Sequence, residues 1–330
     1  MSIKVVKIEE VTLGAFVILP SLWLSHPFLL NKFLVTTEAQ LENLLDSGLI
    51  EIQVDISRSR FDNSGRGFSL EEIPFPLKDP KTEARSLRNV LNLPIRRPQS
   101  RAIAIYTQAS AMMNALLSCP TAESIGEVKD AVGEMVNTMF DDEDTSSYLV
   151  RVSSHDPSTY THSLNVGIYG IMLAKKIYNK SIKHDLKELA AGLMLHDIGK
   201  INIDLKIIQK TSTLQPEEWD VIRNHPDEGN RILRETGHLT DICNIITLQH
   251  HEREDGLGYS HGLKGEEIHD YARICCIADV FDALTSQRTY KQPLPAFQAL
   301  ELMRDEMPTY FNRDLFEAFV MMLAPKRAVA

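Results

Sequence analysis

The sequence has few cysteines, and it arranges none of them as a disulfide scaffold. Only four occur among 330 residues, no two of them spaced as CxxC: Cys119, Cys243, Cys275 and Cys276. Small secreted domains depend on dense disulfides, whereas scattered thiols are typical of proteins in reducing compartments. We therefore expect reduced core thiols in a cytoplasmic protein.

Long hydrophobic runs and an excess of positive charge are also missing. The most apolar early stretch, 15–35, is interrupted by Pro20, Pro27 and Lys32, so it predicts neither a membrane span nor a signal peptide. The formal net charge of −10 disfavours broad binding to duplex nucleic acid. A small anionic ligand is compatible with this charge if bound metal ions supply a local positive site.

The N-terminal residues 1–60 contain neither a glycine-rich phosphate loop nor a histidine cluster. Strand-like segments at 4–8, 16–19 and 50–55 alternate with a helical pattern that begins near Thr37. This alternation predicts a small α/β domain. Because nothing in it has catalytic spacing, we expect a regulatory domain that senses a signal or binds a signalling partner protein.

The remainder of the chain divides by composition into three parts. Residues 61–100 are rich in proline and glycine and predict a linker. Apolar residues return at helical spacing over 101–145, with a turn at 118–123, and predict connecting helices. Residues 146–330 predict a larger all-helical domain, in which most helices are apolar on more than one face and hence buried.

Side chains that can bind metal recur at the ends of these apolar helical patterns. They are His162, His196, Asp197, His225, His250, His251 and Asp279. For example, Leu189 and Leu193 continue at helical spacing to His196 and Asp197, which predicts that both side chains point inward. Trp219 and Ile222 lead in the same way to His225, where Pro226 is expected to discourage further helix.

Each of these residues alone has an ordinary structural explanation. A single histidine on an apolar helix is more often a hydrogen-bonded core residue, and Asp279 alone is explained by a buried arginine partner. Buried charge is costly unless it is paired or bound to metal, so seven such positions indicate a shared purpose. Five imidazoles and two carboxylates suit iron, manganese, nickel or zinc. They exceed the ligands of one ion, and a carboxylate able to bridge, such as Asp197, favours two divalent ions.

The order and spacing of these residues resemble the HD phosphohydrolase superfamily. His162, the run His-Asp-Ile-Gly-Lys at 196–200, and Asp279 carry that resemblance. The runs 250–268 and 278–290 resemble the HD-GYP subfamily, and 3–60 resembles a domain that precedes some HD-GYP domains. The resemblance implies an all-α helical bundle with a dimetal centre in 146–330, preceded by a small α/β domain.

The same resemblance implies a phosphodiesterase that hydrolyses a cyclic dinucleotide, cyclic di-GMP first, through a hydroxide shared by two metal ions. One ion is expected on His162, His196, Asp197 and Asp279, and Asp197 bridges to a second on His225, His250 and His251. Catalysis is expected to use Asp197 and Lys200, and Asp282 is expected to orient a ligand. The residues implied in substrate binding are Lys200, Gly258, Tyr259, Arg288 and Lys291. Iron or manganese is the preferred metal, with nickel and zinc as alternatives.

Two departures from the family pattern bear on this expectation. Gly258-Tyr259-Ser260 stands where the signature is Gly-Tyr-Pro, and Ser158 stands where members with three metals have a glutamate. We therefore expect two metals and a linear dinucleotide, pGpG, as main product. Three alternatives stay open at this point: hydrolysis of 3',3'-cyclic GMP-AMP, a catalytically silent receptor or partner-binding module, and a solvated basic face at Lys291.

Overall fold

The computed structural model describes the chain in separate stretches. The described residues are 3–12, 15–18, 32–35, 41, 44–45, 49–55, 59, 79–118, 121–153, 159–178, 185–208, 210, 212–237, 240–286 and 292–324. The chain divides into two compact units, 1–76 with 94–104 and 77–93 with 105–330. None of the helices within the described stretches combines the length and the apolar character that crossing a bilayer requires.

Four short strands in the first unit form one antiparallel sheet. They are β1 (Ile3–Lys7), β2 (Phe16–Ile18), β3 (Lys32–Leu34) and β4 (Glu51–Asp55). Their order in the sheet is β1-β4-β2-β3. Along β4, Ile52 and Val54 are buried while Gln53 between them is exposed, as the alternation of period two predicts.

Three of these strands lie where the sequence predicts them. Strand β3 was not predicted, because three residues are too few to show an alternating pattern within an apolar stretch. The helix expected to begin near Thr37 falls mostly outside the described residues. The predicted small strand-containing domain ahead of a helical domain is confirmed.

Helices make up most of the remaining described chain, which confirms the predicted all-α domain. They are α1 (Pro80–Leu91), α2 (Pro98–Ser118), α3 (Ala122–Asp141), α4 (Glu143–Ser153), α5 (Thr159–Tyr178), α6 (Leu186–Leu195), α7 (Leu205–Ile208), α8 (Pro216–Arg223), α9 (His225–Thr236), α10 (Asp241–Gln249), α11 (Asp270–Thr285), α12 (Ala296–Glu306) and α13 (Arg313–Leu323). The predicted turn before α3 is present, and Thr121 caps that helix by accepting a hydrogen bond from the backbone N–H of Ser124 at 3.1 Å.

Helix α1 occupies part of the stretch whose composition predicts a linker. Asp79 accepts a hydrogen bond from the backbone N–H of Lys81 at 3.3 Å, and Pro80 takes the first helical position, where an N–H has no partner. Leu87 is fully buried, and the helix packs along α3. Residues 80–91 therefore form a packed helix, although the prolines around them gave this stretch the composition of a linker. The proposed domain limits themselves stay a prediction.

Five helices surround the buried polar residues described below. Helix α5 packs against α6 and α11, while α10 packs against α6, α9 and α11. Helix α6 is buried over most of its length, including Leu189 and Leu193. Burying one leucine side chain stabilises the fold by about 1.5–3 kcal/mol. These apolar helices therefore fix the positions of the polar side chains at their ends.

The helical path around His225 differs from the expectation in two respects. Helix α8 ends at Arg223 and α9 begins at His225, with Pro226 in its first turn. The expectation that Pro226 discourages further helix is wrong, because a proline in the first turn lacks only an N–H that would have no helical partner. The expected inward face of α8 is also wrong, since none of its residues is buried and Trp219 is 44% exposed.

Candidate metal centre

Three of the predicted ligands from separate helices form a first cluster. His162 lies in α5, His196 directly follows α6, and Asp279 lies in α11. The Nε2 atom of His162 is 3.1 Å from Oδ1 of Asp279, and the imidazoles of His162 and His196 meet edge to face with centroids 5.4 Å apart. One donor atom from each residue lies within 4.8 Å of the others, as a shared metal ion requires.

Four predicted ligands form a second cluster beside the first. Donor atoms of Asp197, His225, His250 and His251 also lie within 4.8 Å of one another. The Nε2 atoms of His225 and His250 are 3.1 Å apart, which is short for two nitrogens that both carry lone pairs unless a proton or a metal lies between them. His251 also approaches the first cluster, with its Nδ1 atom 3.8 Å from Oδ2 of Asp279.

The carboxylate of Asp197 faces both clusters. Its Oδ2 atom lies 3.4 Å from Nε2 of His196 and 3.6 Å from Nε2 of His162. Its Oδ1 atom lies 3.1 Å from Nε2 of His225 and 3.7 Å from Nε2 of His250. The two oxygens are thus divided between the two groups of histidines, which is the arrangement that a bridging ligand needs.

Three of the histidines follow the C-terminal end of a helix by one or two residues and are oriented by the same contact. The Nδ1 atom of His196 is 2.7 Å from the carbonyl oxygen of Leu193, three residues earlier. The corresponding distances for His225 and His250 are 2.7 and 2.8 Å. The last carbonyls of a helix lack helical partners, so an Nδ1–H can donate to one of them. This bond leaves the Nε2 lone pair free to face the clusters.

The buried atoms facing the clusters fit divalent metal ions. Nε2 of His162, Nε2 of His196 and Oδ1 of Asp197 are all buried without a hydrogen-bond partner. A buried polar atom without a partner costs about 1–3 kcal/mol, so such atoms are rarely grouped by chance. Since the same atoms belong to the donor groups described above, a metal is the partner that satisfies them together.

The environment of His250 and His251 in the second cluster favours neutral imidazoles, the form that binds metal. Burial lowers the pKa of His250 to about 4 even though Asp197 opposes the shift, and burial also holds the pKa of His251 well below its ordinary value. Burial alone would raise the pKa of Asp197, but Lys200 and the neighbouring histidines hold it well below its ordinary value. His250 and His251 therefore present neutral nitrogens beside an ionised carboxylate.

His162 has the opposite electrostatic environment. Burial would lower its pKa, but the adjacent carboxylates of Asp279 and Asp282 outweigh that effect and raise the pKa to about 9. The first cluster thus strongly attracts positive charge, which a proton supplies in the absence of metal. A divalent cation at Nε2 competes with that proton for the same carboxylates.

Asp282 belongs to a buried chain of hydrogen bonds behind His162. Its Oδ2 atom lies 2.7 Å from Nδ1 of His162, and its Oδ1 atom accepts hydrogen bonds from Asn165 at 2.8 Å and Ser286 at 2.9 Å. The hydroxyl of Tyr106 in turn donates to Oδ1 of Asn165 at 2.7 Å. Asp282 is thus in contact with His162, and its expected role in orienting a ligand stays a prediction. Sequence reasoning missed Asn165 and Tyr106, although a polar residue within the apolar pattern of α5 was a signal for Asn165.

The turn after the His-Asp pair brings Lys200 to the site. Its Nζ atom lies 2.6 Å from Oδ2 of Asp197, and its side chain stays one-third exposed. Gly199 permits this turn, because a Cβ at that position would overlap with the carbonyl oxygen of His225. The glycine thus allows the turn to lie directly against the first turn of α9, while the lysine places a positive charge beside the clusters.

The loop 252–263 closes over the second cluster. The ring of Tyr259 stacks on His251 with centroids 4.5 Å apart, and a Cβ at Gly258 would overlap with the backbone of 251–253. Buried Glu252 holds the far side of the loop by accepting backbone hydrogen bonds from His261, Gly262 and Leu263 at 2.7–3.1 Å. Sequence reasoning missed Glu252, whose only signal was an acidic residue directly after two ligand histidines.

Several predicted residues lie outside the described parts of the chain. Arg288 and Lys291, expected to contact substrate phosphate, belong to this group. Ser158, whose identity bears on the expected number of metals, also lies outside the described residues. Their expected roles stay predictions.

Comparison with known proteins identifies the family of the chain. Residues 155–315 match the HD domain family, and residues 3–131 match a domain of unknown function (DUF3391). A cyclic di-GMP phosphodiesterase of Pseudomonas aeruginosa is 31% identical over 337 residues, covering 96% of this chain and 76% of the relative. The chain belongs to the HD-GYP family. Its N-terminal match extends well past residue 60, through α1 and α2 and into α3.

Other relatives of this HD-GYP protein match mainly its helical part. A cyclic di-GMP phosphodiesterase of Thermotoga maritima is 35% identical over 166 residues, covering 50% of this chain and 45% of the relative. A 3'3'-cGAMP-specific phosphodiesterase of Vibrio cholerae is 28% identical over 211 residues, covering 64% of this chain and 44% of the relative. The chain therefore spans less than half the length of these two proteins.

A solved structure shares the whole fold of this HD-GYP protein. It is described as an HDG"Y"P protein from Bdellovibrio bacteriovorus, and it superposes with a TM-score of 0.62 over 98% of this chain and 99% of that one. At 17% sequence identity the likeness concerns the fold alone. It spans both the strand-containing and the helical parts of the chain.

Proposed function

We propose that the chain is a metal-dependent phosphodiesterase that hydrolyses cyclic di-GMP, mainly to the linear dinucleotide. Relatives named as cyclic di-GMP phosphodiesterases support the substrate class, including the one that matches 96% of this chain. The observation that carries the proposal is the carboxylate of Asp197, whose two oxygens face two separate groups of histidines. A ligand shared in this way would hold two ions close together, as two-metal cleavage of a phosphodiester requires.

The proposed site would hold two ions, each with four protein ligands of different kinds. His162, His196 and Asp279 would hold one ion, His225, His250 and His251 would hold the other, and Asp197 would be shared. Histidine and carboxylate donors together suit iron or manganese, with nickel and zinc as weaker alternatives. When bound, the ions supply Lewis-acid activation of water and stabilise negative charge on the phosphodiester.

The chain's own residues prepare the site for an anionic substrate. The low pKa values of His250 and His251 keep these imidazoles neutral, so they bind as ligands rather than as proton donors. The ammonium group of Lys200 contacts the carboxylate of Asp197. Because the lysine side chain is partly exposed, it can also reach a phosphate oxygen of the substrate. Tyr259, stacked on His251, forms an adjoining wall where substrate would lie. We propose Lys200, Gly258, Tyr259, Arg288 and Lys291 as substrate contacts.

Product analysis tests this proposal. Purified anaerobically and supplied with iron or manganese, the protein should convert cyclic di-GMP to pGpG, and Asp197→Ala should abolish conversion. Chromatography of the reaction over time separates pGpG from GMP. Absence of turnover with either metal would contradict the enzyme and favour a silent receptor. Rapid, complete conversion to GMP would contradict the linear product and the expectation of two metals.

A second substrate has support from one comparison. The Vibrio cholerae relative that matches 64% of this chain is named as specific for 3'3'-cGAMP. The described ligand geometry does not distinguish guanine from adenine, because it concerns the phosphodiester. Parallel assays at equal concentrations of the two cyclic dinucleotides decide between them, and the larger kcat/KM identifies the substrate.

The N-terminal region carries a separate proposal. We assign residues 1–60 to a regulatory domain that binds a signalling partner, 61–100 to a linking segment that contains the packed helix α1, 101–145 to connecting helices and 146–330 to the catalytic domain. The separate sheet of β1 to β4 supports this division. Deleting residues 2–60 should leave metal content intact while changing the activity or its response to a partner.

A further inference from the structure

A series of flat side chains leads outward from the proposed metal centre. The ring of Tyr259 stacks on His251 at an interplanar angle of 29°. The guanidinium carbon of Arg223 lies 6.0 Å from the centroid of Tyr259 and 5.9 Å from that of Trp219. The imidazole of a proposed ligand is thus connected through two further side chains to a tryptophan at the surface.

Trp219 and Arg223 are not part of the packed core. They lie four residues apart on one face of α8, a helix in which no residue is buried. Burying a large aromatic ring normally contributes to core stability, yet 44% of the Trp219 surface is exposed. Helix α8 leads directly into His225, so these exposed side chains are held close to the second cluster without serving the packing.

The chemistry of this surface suits a planar base better than a phosphate. An indole ring and a guanidinium plane both stack on nucleobases. The carboxyl groups of Glu217 and Asp220 are exposed on the same short helix, and they disfavour a second phosphate there. A cyclic dinucleotide has its bases outside the phosphate ring, so a phosphate at the metals places one base away from them.

We infer that Trp219 and Arg223 form the platform on which one purine base of the cyclic dinucleotide stacks, beside the proposed metal centre. The inference rests on the proposed function, because it names residues that recognise the same substrate. Trp219 supplies the aromatic face, and Arg223 is held between Trp219 and Tyr259 where it covers the edge of the base. The two residues bind the substrate and take no part in the chemical step.

Kinetics with two substrates test the inference on the full-length, metal-loaded protein. Stacking on one aromatic side chain changes binding by about tenfold or more. Trp219→Ala should therefore raise KM for cyclic di-GMP by about tenfold with little change in kcat, whereas Trp219→Phe should recover most of the loss. Arg223→Ala should also raise KM for cyclic di-GMP. Hydrolysis of bis(p-nitrophenyl) phosphate, which has no purine, should be unchanged.

Val221→Ala is the matched control, because Val221 is an exposed apolar residue on a different face of α8. Its KM should equal that of the parent, and metal content should be equal in all variants. A parental KM in Trp219→Ala, or equal losses with both substrates, would overturn the inference while leaving the proposed function intact. A parent that cleaves bis(p-nitrophenyl) phosphate but neither cyclic dinucleotide would overturn the proposed function, and with it the assigned base.

Discussion

Asp282→Asn should weaken metal binding at His162 although it removes none of the proposed ligands. The carboxylate of Asp282 meets Nδ1 of His162 at one oxygen and accepts from Asn165 and Ser286 at the other, at 2.7, 2.8 and 2.9 Å. An asparagine has one acceptor oxygen and one NH₂ donor. In either orientation, its NH₂ group faces a group that donates a hydrogen bond to the carboxylate in the parent.

The expected magnitude follows from the two orientations of the new amide. If its NH₂ group faces His162, Nδ1 must become the acceptor, and the proton then occupies Nε2, where the metal should bind. If it faces Asn165, a buried donor loses its acceptor. Loss of such an orienting group typically weakens metal affinity by about 10–100-fold. That range corresponds to about 1.4–2.7 kcal/mol of binding free energy.

Competition with a chromophoric chelator measures this effect on the full-length protein. Asp282→Asn should retain the parental affinity for one equivalent of manganese and show the predicted loss for the other. Asp270→Asn is the control, because Asp270 is an exposed carboxylate in the first turn of the same helix. Unchanged affinity for both equivalents would refute the reasoning.

A second measurement on the metal-free protein separates orientation from general damage. Burial lowers the pKa of His162, but the adjacent carboxylates of Asp279 and Asp282 outweigh that effect and raise the pKa to about 9. With one of these carboxylates neutralised, the pKa should fall, and an NMR titration of the imidazole detects the shift. A pKa that stays near 9 would show that Asp282 does not act on His162.

Three further predictions follow from contacts in the site and its surroundings. His250→Ala should lose about one metal equivalent, and Asp197→Ala should lose both, because Asp197 faces both clusters. Glu252→Gln should destabilise the loop 252–263 by about 1–3 kcal/mol and lower activity, since its two carboxylate oxygens accept three backbone hydrogen bonds. Glu188→Gln should lower the free energy of unfolding by about 1.5–3 kcal/mol at pH 7, because Glu188 pairs with Lys129 and accepts from Thr240 at 2.7 Å.

The Glu188 effect has a defined pH dependence. Burial would raise its pKa, but hydrogen bonds from Lys129 and Thr240 lower it below the ordinary 4.5. The stabilisation is therefore complete above the unfolded pKa and is lost as pH falls through the lower folded pKa. Urea unfolding of parent and Glu188→Gln should converge under acid, whereas exposed Glu235→Gln should match the parent throughout. If the difference in unfolding free energy between the parent and Glu188→Gln stayed constant as the pH falls, the ionised carboxylate of Glu188 would not be its source.

Elemental analysis and proteolysis measure the other two effects. Equal metal loss in His250→Ala and Asp197→Ala would contradict a shared carboxylate between two separate clusters. Limited proteolysis reports on the loop, and Glu252→Gln should be cleaved faster within 252–263 than the parent. Parental cleavage rates would show that other contacts suffice to hold the loop.

The proposed ligands were predictable because each has a local signal in the sequence. His196 continues an apolar helical pattern, and its spacing to Asp279 matches the HD pattern. The contacts that orient these ligands have no such signal. Tyr106 reaches Asn165 across 59 residues, and Asn165 reaches Asp282 across 117, so both contacts exist only after α2, α5 and α11 have packed. Periodicity describes one helix and cannot predict which helix it meets.

The errors have equally specific physical causes. Trp219 and Ile222 have helical spacing, but α8 is only eight residues long and lies at the surface, so its pattern does not indicate burial. Prolines in 61–100 predicted a linker, whereas Pro80 initiates a helix whose Leu87 is buried. A proline disfavours helix interiors and favours first turns, so its effect depends on a boundary that composition does not reveal.

The carbonyl contacts of His196, His225 and His250 couple metal binding to the opening of the last turn of three helices. Each imidazole is held by a carbonyl in the last turn of the preceding helix, so opening that turn releases the ligand. Terminal turns open with low free energies, and anything that binds only the closed form suppresses the opening. Amide hydrogens near the C-terminal ends of α6, α8 and α10 should therefore exchange more slowly when metal is added, in proportion to metal affinity. In this protein, the metal concentration would determine the fraction of molecules in which the last turns of α6, α8 and α10 are formed.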